Sequence, residues 1–292
     1  MPRARISPTI ELEYDVTGDP KAPPIVLVMG FAMQLVAWDD DFCAALAARG
    51  FRVVRVDNRD IGLSTHLTQL GVPDFMRAMM GDASVAPYTL ADMSDDVAGL
   101  LDALDLRAAH VVGASMGGFI VQELAIRHPQ RVLSLASIMS TTGARNIGQP
   151  TPEASAALMT PPPADRAGAI ERALGIWRVI GSRGFPVDEA RIRRRTEVAW
   201  DRDHDPLGVM RQMAAIFTQR DRTEDLGRVR VPAVVIHGAA DPLVPLAGGQ
   251  ATAAAIPGAR LVVVPGMGHD LPPGAWPAII DAVVDNAARA VA

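Results

Sequence analysis

The chain has a single cysteine, Cys43, so an intramolecular disulfide is impossible. Cys43 sits in Phe42-Cys43-Ala44-Ala45-Leu46, which reads as a buried helix face and not as a reactive thiol. No apolar run approaches the ~18–20 residues of a membrane span. The N-terminal Met1-Pro2-Arg3-Ala4-Arg5 is basic, but Ile6-Ser7-Pro8 follows it in place of an apolar stretch, so it does not read as a signal peptide. A basic excess is missing too. The formal net charge is −5 and the pI about 5.7, which argues against nucleic acid as a partner, because nothing is left over to neutralise phosphates. There is no His-Glu-x-x-His, and no Gly-x-Gly-x-x-Gly after a strand, so neither a metal nor any other cofactor is expected. These absences point to a soluble cytoplasmic protein acting on a small molecule. They leave the oligomeric state open, self-association included.

What is present is apolar and orderly. Of 292 residues, 49% are hydrophobic and the mean hydropathy is +0.17, enough to bury a large core in one or two domains. Arg3 to Ser7 and the alternating Ile10 to Val16 read as a hairpin. Ile25-Val26-Leu27-Val28-Met29 is a continuous apolar run, as in a strand buried on both faces of a parallel sheet. Asp39-Asp40-Asp41 opens a helix through Ala48, and Phe51 to Val56 is the next strand. Thr65 to Pro87 is long and irregular, a length typical of pocket walls or lids. Thr89 caps a helix with Leu90, Met93, Val97, Leu100, Leu101 and Leu104 at helical spacing. Val132 to Ile138 is a further strand.

From about Thr142 to Asp225 no strand signal appears. Helical runs are expected at Ala164–Ile180, Val187–Asp201 and Pro206–Gln219. Alternation then resumes with strands at Val231–Ile236 and Leu261–Val264 and helices at Leu246–Ala255 and Pro277–Val291. This pattern predicts an α/β fold: a mostly parallel eight-stranded sheet flanked by helices. Residues 1–141 and 226–292 would form the core and 142–225 a helical cap insertion.

The chemistry centres on His110-Val111-Val112-Gly113-Ala114-Ser115-Met116-Gly117-Gly118. A short apolar run meets Gly-x-Ser-x-Gly and a helix-like run follows. A serine on such a turn projects its hydroxyl out of the backbone, and small residues must flank it. A chain of this composition supplies roughly 0.07 such matches by chance, so context must decide. A serine needs a base, and the base an orienting acid. Five of the six histidines lie in unpromising places: His66 in the long loop, His110 at the far end of the strand, His128 beside Pro129, His204 in an acidic turn, and His237 ending a strand. His269 follows the last strand in the small-residue loop Pro265-Gly266-Met267-Gly268-His269, at the sheet edge where sites form. Asp241, in the turn after His237, leaves the same edge. Met139-Ser140-Thr141-Thr142-Gly143, after the preceding strand, offers no carboxylate. The order Ser115, Asp241, His269 is that of the α/β-hydrolase fold. An oxyanion hole would combine the Met116 and Phe31 amides.

Over essentially its whole length the chain resembles an α/β-hydrolase with a helical cap, and within that superfamily the aclacinomycin methylesterase-like bacterial esterases. The resemblance rests on Val28-Met29-Gly30, Asp57-Asn58-Arg59-Asp60-Ile61-Gly62-Leu63-Ser64, Val112 to Gly117, Asp241-Pro242 and Pro265 to His269. Met29 stands where many members carry histidine, and Asp60 where glycine is usual.

Gly30, Phe31, Met33, Trp38, Met116, Met139, Trp177, Trp200 and Phe217 are candidates to line an apolar pocket under the cap, with ordinary core as an equal alternative. Arg191-Ile192-Arg193-Arg194-Arg195 reads as a solvated helix face more readily than as an anion site. The expected activity is hydrolysis of carboxylic esters of small to medium apolar substrates through an acyl-enzyme. The same triad would also serve perhydrolase, lactonase or carbon–carbon bond hydrolase chemistry. A low-turnover binding protein on the same fold is the remaining alternative.

Overall fold

The computed structural model describes residues 2–290, so the expected end of the last helix, at Val291, lies outside the described residues. Eight strands form one sheet: β1 (Arg3–Arg5), β2 (Glu11–Thr17), β3 (Pro24–Val28), β4 (Arg52–Val56), β5 (Ala109–Ala114), β6 (Val132–Ile138), β7 (Ala233–Gly238) and β8 (Arg260–Val264), in the spatial order β1-β2-β4-β3-β5-β6-β7-β8. β1–β2 and β2–β4 pair antiparallel and all other neighbours pair parallel. The apolar runs behave as parallel strands must when helices cover both faces. In β3, Val26 and Val28 enter one core cluster, and Ile25 and Leu27 the other.

Around the sheet run α1 (Asp40–Ala48), α2 (Phe75–Met79), α3 (Leu90–Ala103) and α4 (Met116–Arg127). After β6 come α5 (Pro152–Leu158), α6 (Arg166–Ile180), α7 (Glu189–Arg202), α8 (Pro206–Phe217) and α9 (Thr223–Leu226), and α10 (Leu246–Ala255) and α11 (Trp276–Ala288) close the chain. α3 and α4 cover one face, and α1 and α11 the other. Thr89 caps α3 with a full capping box, its side chain and that of Asp92 each accepting from the other's backbone N–H. Asp39 caps α1, accepting from the Asp41 amide.

α5–α9 all fall between β6 and β7, with no strand among them. The sequence pattern missed α2, α5 and α9, four to seven residues long, because so short a helix shows barely two turns of periodicity. α4 begins at Met116, three residues before the apolar run suggests, since Gly117 and Gly118 lie inside the helix. No helix is long and apolar enough to cross a membrane among the described residues.

Parallel register brings the strand ends into line. Val28 pairs with Gly113, Ala114 with Ile138, Ile138 with Ile236, and Gly238 with Val264. The loops that follow β3, β5, β7 and β8 therefore open at one edge.

Candidate active site

At the junction of β5 and α4, Ser115 adopts φ 54°, ψ −118°, a conformation an L-residue holds only against strain. The flanking glycines make the turn possible. A Cβ on Gly113 would overlap the Gly117 carbonyl, and one on Gly117 would overlap the Val28 carbonyl. The Ser115 amide donates to the Ile138 carbonyl at 2.9 Å, and Ser140 Oγ donates to the Ser115 carbonyl at 3.0 Å. From 109 to 125 every residue is buried except Ser115, which is partly exposed. The fold thus leaves this stretch open to solvent at one side chain.

The structure brings the three separated residues into one relay. Ser115 Oγ lies 2.9 Å from His269 Nε2, and His269 Nδ1 lies 2.7 Å from Asp241 Oδ2. A carboxylate only accepts, so Nδ1 carries the proton and Nε2 is left to accept the serine hydroxyl. Asp241 is held by its own turn, Oδ1 accepting from the Leu243 and Val244 amides at 2.9 Å each. His237 approaches Asp241 Oδ2 at 3.8 Å. Burial pushes His237 below its ordinary range, and its Nε2–H is engaged by the Val244 carbonyl at 2.7 Å. His237 is thus a neutral neighbour and not a competing cation.

The His269 loop is fastened to the segment after α6. The His269 amide donates to the Ile180 carbonyl at 2.7 Å and the Gly184 amide to the Gly266 carbonyl at 2.9 Å. Ser182 Oγ accepts from the Gly268 amide at 2.9 Å and donates to Asp270 Oδ1, which also takes the Ser182 amide. Burial pushes the Asp270 carboxyl above its usual range, with Ser182 pulling back.

On the other side, Gly30 stands against Ser115. A Cβ there would lie 3.1 Å from Ser115 Cβ and 3.7 Å from Oγ. Gly30 opens a turn, Met33 N–H to Gly30 carbonyl at 3.3 Å, in which Ala32 has φ 58°. The Phe31 amide belongs to this turn and the Met116 amide to the first turn of α4. Asp57, wholly buried, accepts from the Leu35 amide at 2.6 Å and the Leu63 amide at 3.0 Å, and pairs with Arg202 of α7. Burial raises the Asp57 carboxyl above its usual range, against those three partners.

The apolar candidates each have their own neighbours. The Trp38 ring is buried against Phe42, 5.5 Å between centroids, in the core cluster that also holds Met139. The Met116 side chain is buried in the other cluster. Trp177 lies under the Arg195 guanidinium at 5.2 Å, Trp200 stacks on His204 at 4.2 Å, and Phe217 meets Phe75 edge-on at 5.6 Å. Met33 is half-buried against the core cluster of Trp38. Arg191 pairs with Asp39 and lies over Trp276, and Arg193 reaches Glu171. Cys43 is buried, and burial pushes its thiol up to about 12. Among the described residues, no group of three or more His, Cys, Asp or Glu side chains is arranged to hold a metal ion.

Sequence comparison matches the α/β hydrolase fold family over residues 23–164 and the TAP-like proteins over residues 213–285. Rhodomycin D methylesterase DauP of Streptomyces sp. (strain C5) is 30% identical over 280 residues, covering 87% of each chain. The chain belongs to the α/β-hydrolase family. Among solved structures, the enol-lactonase from Burkholderia xenovorans LB400 superposes with a TM-score of 0.75 at 28% identity, over 98% of this hydrolase and 99% of that chain. BpoC of Mycobacterium tuberculosis (strain ATCC 25618 / H37Rv), a putative non-heme bromoperoxidase by name, is 33% identical over 134 residues, 46% of this chain and 43% of its own.

Proposed function

We propose that this hydrolase cleaves carboxylic esters of small to medium apolar molecules through an acyl-enzyme on Ser115. The observation that carries the reading is the unbroken relay from Ser115 Oγ through His269 to Asp241, at 2.9 and 2.7 Å, ending on a strained, partly exposed serine. His269 Nε2 takes the Ser115 proton as Oγ bonds to the ester carbonyl carbon. Asp241 stabilises the imidazolium that forms. The oxyanion is received by the Phe31 and Met116 amides, whose fixed dipoles lower the barrier by several kcal/mol where charge develops. Collapse expels the alcohol, which leaves with the proton from Nε2. Water then attacks the acyl carbon with Nε2 as base, and the carboxylic acid departs.

Residues 142–225 act as the cap over this site, and the core is the remainder. The methylesterase relative favours a small alcohol leaving group. The enol-lactonase likeness favours a second reading, a cyclic ester as substrate, which the same steps would open without release of a separate alcohol. A panel of p-nitrophenyl esters, simple methyl esters and aliphatic lactones, assayed with wild type and Ser115→Ala, tests both readings. Turnover of any ester, abolished in Ser115→Ala, supports the reading. Wild-type inactivity across the panel, or an equally active Ser115→Ala, would overturn it.

A further inference from the structure

The turn beside Ser115 is unusual in having alanine at its left-handed position, Ala32 with φ 58°. Positive φ at the third residue of a turn is the place for glycine or asparagine. An alanine there drifts toward negative φ unless something holds it, and its peptide rotates as it goes. The holder comes from α8, 180 residues away. Gln212 is fully buried, its Oε1 accepts the Ala32 N–H at 3.1 Å, and its Nε2 donates to the Arg59 carbonyl at 2.9 Å. Both ends of the amide are used, which fixes its orientation. The preceding residue secures the helix. Arg211, also fully buried, forks onto Asp60 at 2.9 and 2.7 Å. Asp60 itself has φ 65°, in the left-handed region that favours glycine. A Cβ on Gly208, one turn earlier, would overlap the Asp60 carbonyl. α8 is therefore seated on the loop after β4 and on the turn after β3 by one continuous set of buried contacts.

We infer that Gln212 is a positioning residue for the oxyanion hole: by holding the Ala32 N–H it fixes the Phe31–Ala32 peptide, and with it the direction of the Phe31 amide. The inference rests on the reading of Phe31 as an oxyanion donor. A donor aimed at the developing oxyanion acts in the transition state and not on the bound ester, so loss of alignment lowers kcat and leaves KM nearly unchanged.

The test compares Gln212→Met, which keeps the shape and loses the acceptor, with Gln212→Glu, which keeps an acceptor for Ala32 and loses the donor to Arg59. The same p-nitrophenyl ester is used throughout, below each variant's melting range. Gln212→Met is expected to lose about 10- to 100-fold in kcat, below the 10²–10³ of deleting a donor outright, with KM within about twofold. It should lose a similar factor in affinity for an arylboronic acid, whose tetrahedral adduct fills the oxyanion hole. Gln212→Glu is expected to recover most of that loss in kcat despite lower thermal stability. Ala32→Gly added to Gln212→Met is expected to recover part of it, since glycine needs no clamp at positive φ. Should Gln212→Met fold poorly, Gln212→Asn, too short to reach Ala32, takes its place. The inference is overturned if the acceptor-lacking variant keeps kcat within about threefold of wild type, or if the Glu variant falls with it. Ser115→Ala run alongside separates the two readings. Its full activity sinks the hydrolase mechanism, whereas its inactivity beside an unimpaired Gln212→Met sinks only the role of Gln212.

Discussion

Asp241→Asn removes one charge and almost no volume, and the structure specifies which way the new amide must point. Asp241 Oδ1 receives two backbone N–H groups, from Leu243 and Val244, at 2.9 Å each. An NH₂ group facing those two donors would leave three donors without an acceptor. The asparagine oxygen therefore stays on the turn, and its NH₂ replaces Oδ2 opposite His269 Nδ1, a 2.7 Å contact in the native chain. Nδ1 must then accept, the ring proton moves to Nε2, and Nε2 faces Ser115 Oγ as a donor. The base is lost without displacing an atom. A wrong tautomer in a serine–histidine–aspartate relay costs about 10⁴-fold in kcat, about 5.5 kcal/mol of transition-state stabilisation. Steady-state hydrolysis of a p-nitrophenyl ester reads the loss, and urea unfolding followed by circular dichroism verifies that the fold survives. A fall of less than about tenfold in a folded variant would refute the tautomer argument and the orienting role of Asp241 with it.

Arg211→Met leaves Asp60 buried without its guanidinium and is expected to cost about 3–5 kcal/mol in urea unfolding. Asp60→Gly in that background removes the stranded charge at a residue with φ 65°, and the double variant should be more stable than Arg211→Met by about 1–3 kcal/mol. Equal or lower stability would mean that the pair does not lock α8 down. His66 faces acceptors at both ring nitrogens, Asp205 at 3.0 Å and the Gly62 carbonyl at 2.9 Å. Burial pulls it down, but the Gly62 carbonyl, Asp203 and Asp205 outweigh burial and raise it above its ordinary range. A raised histidine contributes stability that is complete below the unfolded value of about 6.5 and is lost as pH rises through the folded one. His66→Gln is therefore expected to lower Tm more at about pH 5.5 than at about pH 8.5, and a larger drop at the higher pH would contradict the assignment.

The strands were legible because burial on both faces demands unbroken apolar runs, as at Ile25 to Met29. The elbow was legible because Gly113 and Gly117 face carbonyls at distances no side chain tolerates. Asp241 and His269 were chosen by asking which acid and base leave strand ends at one edge, and the folded chain sets both in line with Ser115, at 2.7 and 2.9 Å. What joins the helical insertion to the site was not legible. Gln212 to Ala32, Arg211 to Asp60 and Arg202 to Asp57 link residues 180, 151 and 145 positions apart, and no local pattern marks a buried glutamine as a clamp. The departure at Asp60 was visible, but its compensation by Arg211 appears only when the chain is folded. Apolar character fits core and pocket equally, and the Trp38 ring is stacked in the core.

Ser115 is the proposed nucleophile of this family member, and stoichiometric labelling by diisopropyl fluorophosphate tests that role most directly. Intact-mass and peptide analysis should find one phosphoryl adduct per chain, on Ser115, appearing in step with loss of ester turnover and absent from Ser115→Ala. An adduct on another residue that abolishes turnover, or full ester hydrolysis by a chain already labelled at Ser115, would contradict it.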